Sequence, residues 1–113
     1  MKKIFLLCFF VSVVLTVNAQ QGGFTGPGLQ VVTVQQAQNL RDDTPVVLQG
    51  RILQFLGDEK YLFSDETGTI TVEIDDRLWR GISVNENDIV EISGEVDRNF
   101  RRVEIDVDTI KKL

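Results

Sequence analysis

The sequence predicts a mainly β domain, a small barrel of five strands with a short N-terminal helix and a one-turn helix between the third and fourth strands. Apolar and polar residues alternate through residues 45–56, 69–75 and 90–108, which is the period-two pattern of strands with one buried face. Short turn segments, Gly-Asp-Glu-Lys and Asp-Glu-Thr-Gly, separate the first three of the five runs. Helical spacing of apolar residues is confined to brief stretches, so strands dominate.

The N-terminal helix is predicted at residues 33–40. Thr33 and Gln36 stand three residues apart, which is the spacing of a capping box. One helical face then carries Val34, Ala37 and Leu40. Pro45 begins the first strand, where the missing N–H costs least.

The first strand is long and contains Gly50 near its middle, where a strand can bend or bulge. Such curvature lets one strand join both sheets of a small barrel. After the third strand, Asp75 or Asp76 can cap a single helical turn that ends at Gly81. In that turn, Leu78 and Trp79 are predicted to close the open end of the barrel.

Five strands with a helix between the third and fourth form the oligonucleotide/oligosaccharide-binding (OB) arrangement, a partly open Greek-key barrel. An open sheet packed on two helices is the alternative, and it fits less well because these helices are too short to cover a sheet. In the OB arrangement, the fifth strand lies between the third and the fourth.

The first nineteen residues are typical of a secretory signal peptide. Lys2 and Lys3 precede an apolar run from Ile4 to Leu15, and small or aliphatic residues follow up to Ala19. A membrane anchor is the alternative, but twelve apolar residues fall short of the ~20 that span a bilayer. We therefore predict cleavage after Ala19 and a periplasmic protein. It comprises a flexible glycine-rich arm at residues 20–32 and an OB domain at residues 33–113.

The mature chain carries seventeen acidic and ten basic residues, a net charge of −7, once Lys2 and Lys3 are removed from the twelve basic residues of the whole chain. This balance disfavours a nucleic-acid backbone as partner and favours cations or basic peptides. The chain has no histidine, and its single cysteine, Cys8, lies in the signal segment. Histidine-dependent triads, thiol nucleophiles and histidine–metal sites are thus excluded from the mature chain. We therefore expect that the protein is not an enzyme and that it binds no cofactor.

Three blocks of the sequence resemble the bacterial OB-fold (BOF) family, the YgiW/YdeI-type stress-tolerance proteins. They read LRDDTPVVLQG, YLFSDETGTITVEIDDRLWRG and DIVEISGEVDRNFRRVEIDVDTI, and GFTGPG in the arm is also similar. The resemblance covers about residues 33–112. It implies a periplasmic OB barrel that serves envelope stress tolerance, and it supplies no catalytic residues.

Carboxylates occupy nearly every outward position of the last three predicted strands, where they would repel one another. Together with the usual OB ligand surface of strands two and three and their loops, they give the candidate ligand-binding residues Asp58, Glu59, Tyr61, Glu73, Asp75, Glu91, Glu95, Asp97, Arg98, Phe100, Arg101, Glu104, Asp106 and Asp108.

Two explanations of these acids stay open. They could keep the domain soluble and its strand edges unpaired, in which case a monomeric adaptor docks on protein partners through Phe24, Phe100 or Trp79. Alternatively, their negative potential binds a cationic small molecule, a basic peptide or a basic envelope protein. A tight metal site is not expected, because Asp106 and Asp108 lack the glycine turn and closing glutamate of an EF-hand loop.

Overall fold

A computed structural model describes residues 29–113. The strands are β1 (Val31–Val32), β2 (Pro45–Gly57), β3 (Lys60–Asp65), β4 (Gly68–Glu73), β5 (Val90–Arg98) and β6 (Val103–Lys112). Helix α1 spans Val34–Ala37, and a 3-10 helix spans Asp76–Trp79. The predicted signal peptide and residues 20–28 of the predicted arm lie outside the described residues.

The strands form one sheet in the order β1-β2-β3-β4-β6-β5, which closes because β2 also pairs with β5. The last strand, β6, runs parallel to β4 and antiparallel to β5. It therefore lies between the third and fourth barrel strands, and the predicted five-stranded OB barrel is confirmed. Val31–Val32, the last two residues of the predicted arm, add a short parallel strand beside Val47 and Leu48 of β2.

The long strand β2 changes its partner at Gly50, as its predicted curvature requires. Residues 45–50 pair with β5, and residues 51–57 pair with β3. A Cβ on Gly50 would overlap the carbonyl oxygen of Ser64. Only glycine therefore lets the backbones of β2 and β3 approach closely enough for β2 to change its partner from β5 to β3 here.

The barrel interior is filled by the inward-facing aliphatic residues of every barrel strand, with Phe63 of β3 fully buried among them. The predicted inward residues of the first and third strands are all buried: Val46, Leu48, Ile52, Ile70, Val72 and Ile74. Burial of apolar surface contributes about 25 cal/mol per Å² to the stability of the fold. Alternation in the sequence thus located the core.

Helix α1 is shorter than predicted but has the predicted cap. Thr33 Oγ1 accepts the Gln36 N–H at 3.0 Å, and Gln36 Oε1 accepts the Thr33 N–H at 2.9 Å. The carboxylate of Asp65 in β3 accepts the Val34 N–H at 2.8 Å and ties the helix to the barrel. The sequence pattern did not indicate this tether, because Asp65 is 31 residues away along the chain.

Asp75 caps the 3-10 helix, and its side chain accepts the Arg77 N–H at 2.8 Å. Leu78 and Trp79 are half-buried and pack against the core, as predicted for the end of the barrel. Within residues 29–113, no helix is both long enough and apolar enough to cross a bilayer.

Candidate functional site

The strand pairing of β4, β5 and β6 brings carboxylates of three strands together on the outside of the barrel. Glu95 of β5 lies opposite Asp106 of β6, and Asp106 lies beside Glu73 of β4. One row across the sheet therefore carries three acidic residues, and Lys60 of β3 lies opposite Glu73 at its end. Like charges in such cross-strand positions destabilise a sheet unless something neutralises them.

A bulge in β6 adds a further carboxylate to this row. Ser93 pairs with Thr109, but the next residue, Gly94, pairs with Val107, so Asp108 has no partner across the strand. We call Glu95, Asp97, Asp106 and Asp108 the acidic cluster. A bulge commonly re-aims a side chain in this way.

The members of the acidic cluster perturb one another. A hydrogen bond with the Asp108 carboxyl, followed by loss of hydration and by the charges of Asp108, Asp106 and Asp43, raises the pKa of Glu95 above its ordinary value. Partial burial, then the charges of Asp108 and Asp97, raises the pKa of Asp106. Both shifts favour a bound proton, and a bound cation would relieve the same repulsion.

Glu104 was predicted to face outward with the cluster, and it lies on that face but is not exposed to solvent there. Only 7% of Glu104 is exposed. Its carboxylate lies 2.8 Å from Lys60 Nζ and 3.3 Å from Arg102 Nε. The alternation therefore predicted the correct face. The Lys60 and Arg102 side chains pair with the Glu104 carboxylate there and neutralise its charge.

Two other predicted residues have partners of their own. Glu91 accepts a hydrogen bond from Gln49 Nε2 at 2.9 Å and lies 3.7 Å from Lys111 Nζ. Asp75 caps the 3-10 helix, and hydrogen bonds from the Arg77 side chain and backbone hold its pKa below the ordinary value. Neither carboxylate belongs to the acidic cluster.

The β2–β3 turn holds the candidates Asp58 and Glu59, both in the left-handed region with φ of 53° and 64°. Two consecutive residues of this kind form the tight hairpin turn that suits twisted strands. The Glu59 carboxylate accepts the Asp76 N–H at 2.9 Å, and its carbonyl accepts the Ile74 N–H at 2.8 Å. Glu59 therefore fastens this turn to the 3-10 helix.

The β5–β6 hairpin carries the remaining candidates. Arg98 donates through Nε to the Leu40 carbonyl at 2.8 Å and also to the Gln38 carbonyl, which anchors the hairpin beside α1. Phe100 is 94% exposed at the tip, and the Arg101 guanidinium lies 5.5 Å from its ring centroid. Arg98 is thus a structural tie, whereas Phe100 and Arg101 face solvent.

Tyr61 lies apart from the acids, between Phe55 and Trp79, in a groove that sequence reasoning missed. The centroid of its ring is 5.2 Å from that of Phe55 and 5.5 Å from that of Trp79. A two-residue turn with regular pairing would place Leu56 opposite Tyr61, but the register shifts and Phe55 takes that place. The signal in the sequence was the aromatic pair flanking the turn. The shift itself could not be read from the residues.

Among residues 29–113, no three or more histidine, cysteine, aspartate or glutamate side chains are arranged to hold a metal ion.

The sequence matches one protein family and several known proteins. The family described as "Bacterial OB fold (BOF) protein" matches residues 12–112. Protein YgiW of Escherichia coli (strain K12) is 50% identical over 108 residues, which cover 84% of this chain and 83% of YgiW. The "Calcium-regulated OB-fold protein CarO" of Pseudomonas aeruginosa is 43% identical over 93 residues, 80% of each chain.

Solved structures agree with the fold. The structure of the hypothetical protein ygiW from E. coli gives a TM-score of 0.74 at 50% identity and covers 82% of this chain and 100% of that one. The telomere capping protein Ten1 from Saccharomyces pombe gives 0.57 at 15% identity, covering 75% of this chain and 81% of Ten1. The second likeness supports the barrel alone.

Proposed function

The chain belongs to the bacterial OB-fold (BOF) family, and on that premise we propose that it is an exported envelope protein that binds a cationic ligand or a basic protein surface through its acidic cluster. It acts in envelope stress tolerance from the periplasm, and it binds its ligand without turning it over. An open face of carboxylates on a small barrel offers no water-excluding cleft for acid–base catalysis.

The observation that carries this proposal is the lack of internal neutralisation in the acidic cluster. Within residues 29–113, the ion pairs engage Glu104, Glu91, Asp75 and Asp88, and none includes a member of the cluster. After partial burial, the charges of Asp108 and Asp97 raise the pKa of Asp106, and after its hydrogen bond with Asp108 and loss of hydration, nearby acidic charges raise the pKa of Glu95. A surface with uncompensated charge of one sign concentrates ligands of the other sign.

One relative suggests which cations to test. The P. aeruginosa relative is named as calcium-regulated, which supports including a divalent cation beside a polyamine and a basic peptide. Weak electrostatic association of such cations needs no chelating loop, because the negative potential of the cluster raises their local concentration.

The test is a calorimetric titration of the purified protein with Ca²⁺, spermidine and a lysine-rich peptide at low ionic strength. We expect saturable binding of at least one cation, weakened in the double variant Asp106→Asn/Asp108→Asn and weakened again by 0.3 M salt, since screening shortens the reach of exposed charges to less than about 8 Å. Glu104 stays unaltered because its burial makes any change there a change in stability.

The matched control is Glu66→Gln/Glu91→Gln, which removes the same amount of charge from positions outside the cluster. If the control weakens binding as much as the cluster variant does, net charge alone explains the response. If the cluster variant binds every cation as the original protein does, the proposal fails.

A second candidate function is docking on a protein partner through apolar residues, with the acids serving solubility. The observation in its favour is Phe100, whose exposure of 94% at a hairpin tip is large for an aromatic ring. Phe24 of the predicted arm lies outside the described residues. Docking of this kind would resist 0.3 M salt, survive Asp106→Asn/Asp108→Asn and be lost in Phe100→Ser.

A further inference from the structure

The groove around Tyr61 is an open depression with a mixed aromatic, aliphatic and polar lining, and the function above does not use it. Its volume is about 440 Å³, and its walls include Ile52, Phe55, Tyr61, Trp79, Ile82 and Val84. A volume of this order suits a small organic ligand. We call it the aromatic groove.

Three neighbouring aromatic rings line one side of this groove. The planes of Phe55 and Tyr61 meet at 50°, and those of Tyr61 and Trp79 at 61°. The ring planes are therefore inclined to one another and do not form one flat stacking surface. Phe55 is 61% exposed, so its ring is accessible to a ligand.

The charge in the groove favours a cationic ligand. The Trp79 indole N–H is already used, since it donates to the Tyr61 hydroxyl at 3.1 Å. Of the described residues that line the groove, Glu86 alone carries a charge, and that charge is negative. An anionic ligand would be repelled by this carboxylate, whereas a cation is attracted by it and by the face of an exposed ring such as Phe55.

We propose that the aromatic groove binds a quaternary or alkylated ammonium group. The exposed ring of Phe55 supplies cation–π attraction, Tyr61 and Trp79 form the aromatic wall beside it, and Glu86 supplies the counter-charge. Aromatic cages recognise such ammonium groups because the cation is weakly hydrated and lies against the negative ring faces. This site is separate from the acidic cluster, so each can fail without the other.

Trp79 is the only tryptophan of the chain, so its fluorescence reports on this groove. The experiment adds choline chloride to the purified protein in place of an equal concentration of sodium chloride. In parallel, it adds 3,3-dimethylbutan-1-ol, which has the shape of choline without its charge. We expect a saturable change with choline and an affinity about tenfold lower for the neutral alcohol.

The variants localise the site. Phe55→Leu and Glu86→Gln should each weaken choline binding about threefold or more. Phe100→Leu is the matched control, because it removes an exposed ring elsewhere and should leave the affinity unchanged. Circular dichroism confirms that each variant is folded.

Equal affinity for choline and the neutral alcohol would overturn the proposal, because the groove would then be merely apolar. It would also be overturned by choline binding that Phe55→Leu leaves intact, or by no saturable response to choline at all.

Discussion

The outer face of β6 holds carboxylates in two opposite environments only two residues apart. Glu104 is 7% exposed and has two cationic groups within 3.3 Å. Asp106 is exposed, and its strand neighbours on either side are Glu95 and Glu73. The same alternation produced both positions, so the face of a strand does not decide whether an acid is neutralised. Cationic side chains from outside the pairing decide, because the residues across from Glu104 are Thr71 and Asp97, whereas Lys60 and Arg102 neutralise it.

The difference follows from where the cationic side chains lie. Lys60 lies opposite Glu73, and its side chain extends past β4 to the first carboxylate of β6, while Arg102 directly precedes that strand. Further along the strand, the register brings Glu95, and the bulge adds Asp108. One end of the hairpin is therefore an internal ion-pair network, and the rest is an uncompensated acidic cluster.

Breaking the internal network should give the largest effect. Lys60→Met leaves the buried Glu104 carboxylate with Arg102 alone, and we expect a loss of about 2 kcal/mol in the free energy of unfolding. The measurement is equilibrium unfolding in urea. The original protein and the variant should have similar m-values, because the surface exposed on unfolding is unchanged.

Lys111→Met is the matched control for this prediction. It removes the same side-chain charge from an exposed pair whose atoms are 3.7 Å apart. Such pairs contribute ~0–1 kcal/mol. If both variants lose the same stability, then Glu104 is no better neutralised than Glu91, and the contrast between the two environments is wrong.

Removing charge from the acidic cluster should have a smaller effect of opposite sign. Asp106→Asn relieves repulsion with its neighbours, so we expect a gain of about 0.5 kcal/mol at pH 7, reduced by solvent screening. Urea unfolding at several pH values measures it. A loss of stability at pH 7 would mean that Asp106 has a favourable partner.

The pH dependence of this gain follows from the sign of the pKa shift. Because the folded-state pKa of Asp106 is raised, the protonated carboxyl stabilises the fold at low pH, and that contribution is lost as the pH rises through the folded-state pKa. The asparagine side chain of the variant does not titrate. The advantage of Asp106→Asn should therefore shrink as the pH falls through the raised pKa of Asp106.

The sequence predicted most of the barrel because local rules and tertiary structure agree there. Thr33 and Gln36 form the cap that their spacing indicates, and Gly50 lies where the long strand changes partners. The parallel pairing of β1 with β2 was not predicted, because Val31–Val32 is too short to show a period.

The candidate site was predicted less completely. The alternation indicated the carboxylates of β5 and β6, but whether each is neutralised depends on contacts such as Lys60 with Glu104, 44 residues apart. The aromatic groove depended on a register shift that brings Phe55 opposite Tyr61. Both features arise from strand register, which the residues of one strand do not determine by themselves.

The most direct test of the uncompensated acidic cluster is a titration of its carboxyl carbons by nuclear magnetic resonance, with and without spermidine. We predict that Glu95 and Asp106 titrate above their ordinary pKa values and that spermidine lowers both, because a bound cation favours the charged form. Ordinary or lowered pKa values, or raised values that spermidine leaves unchanged, would contradict the account.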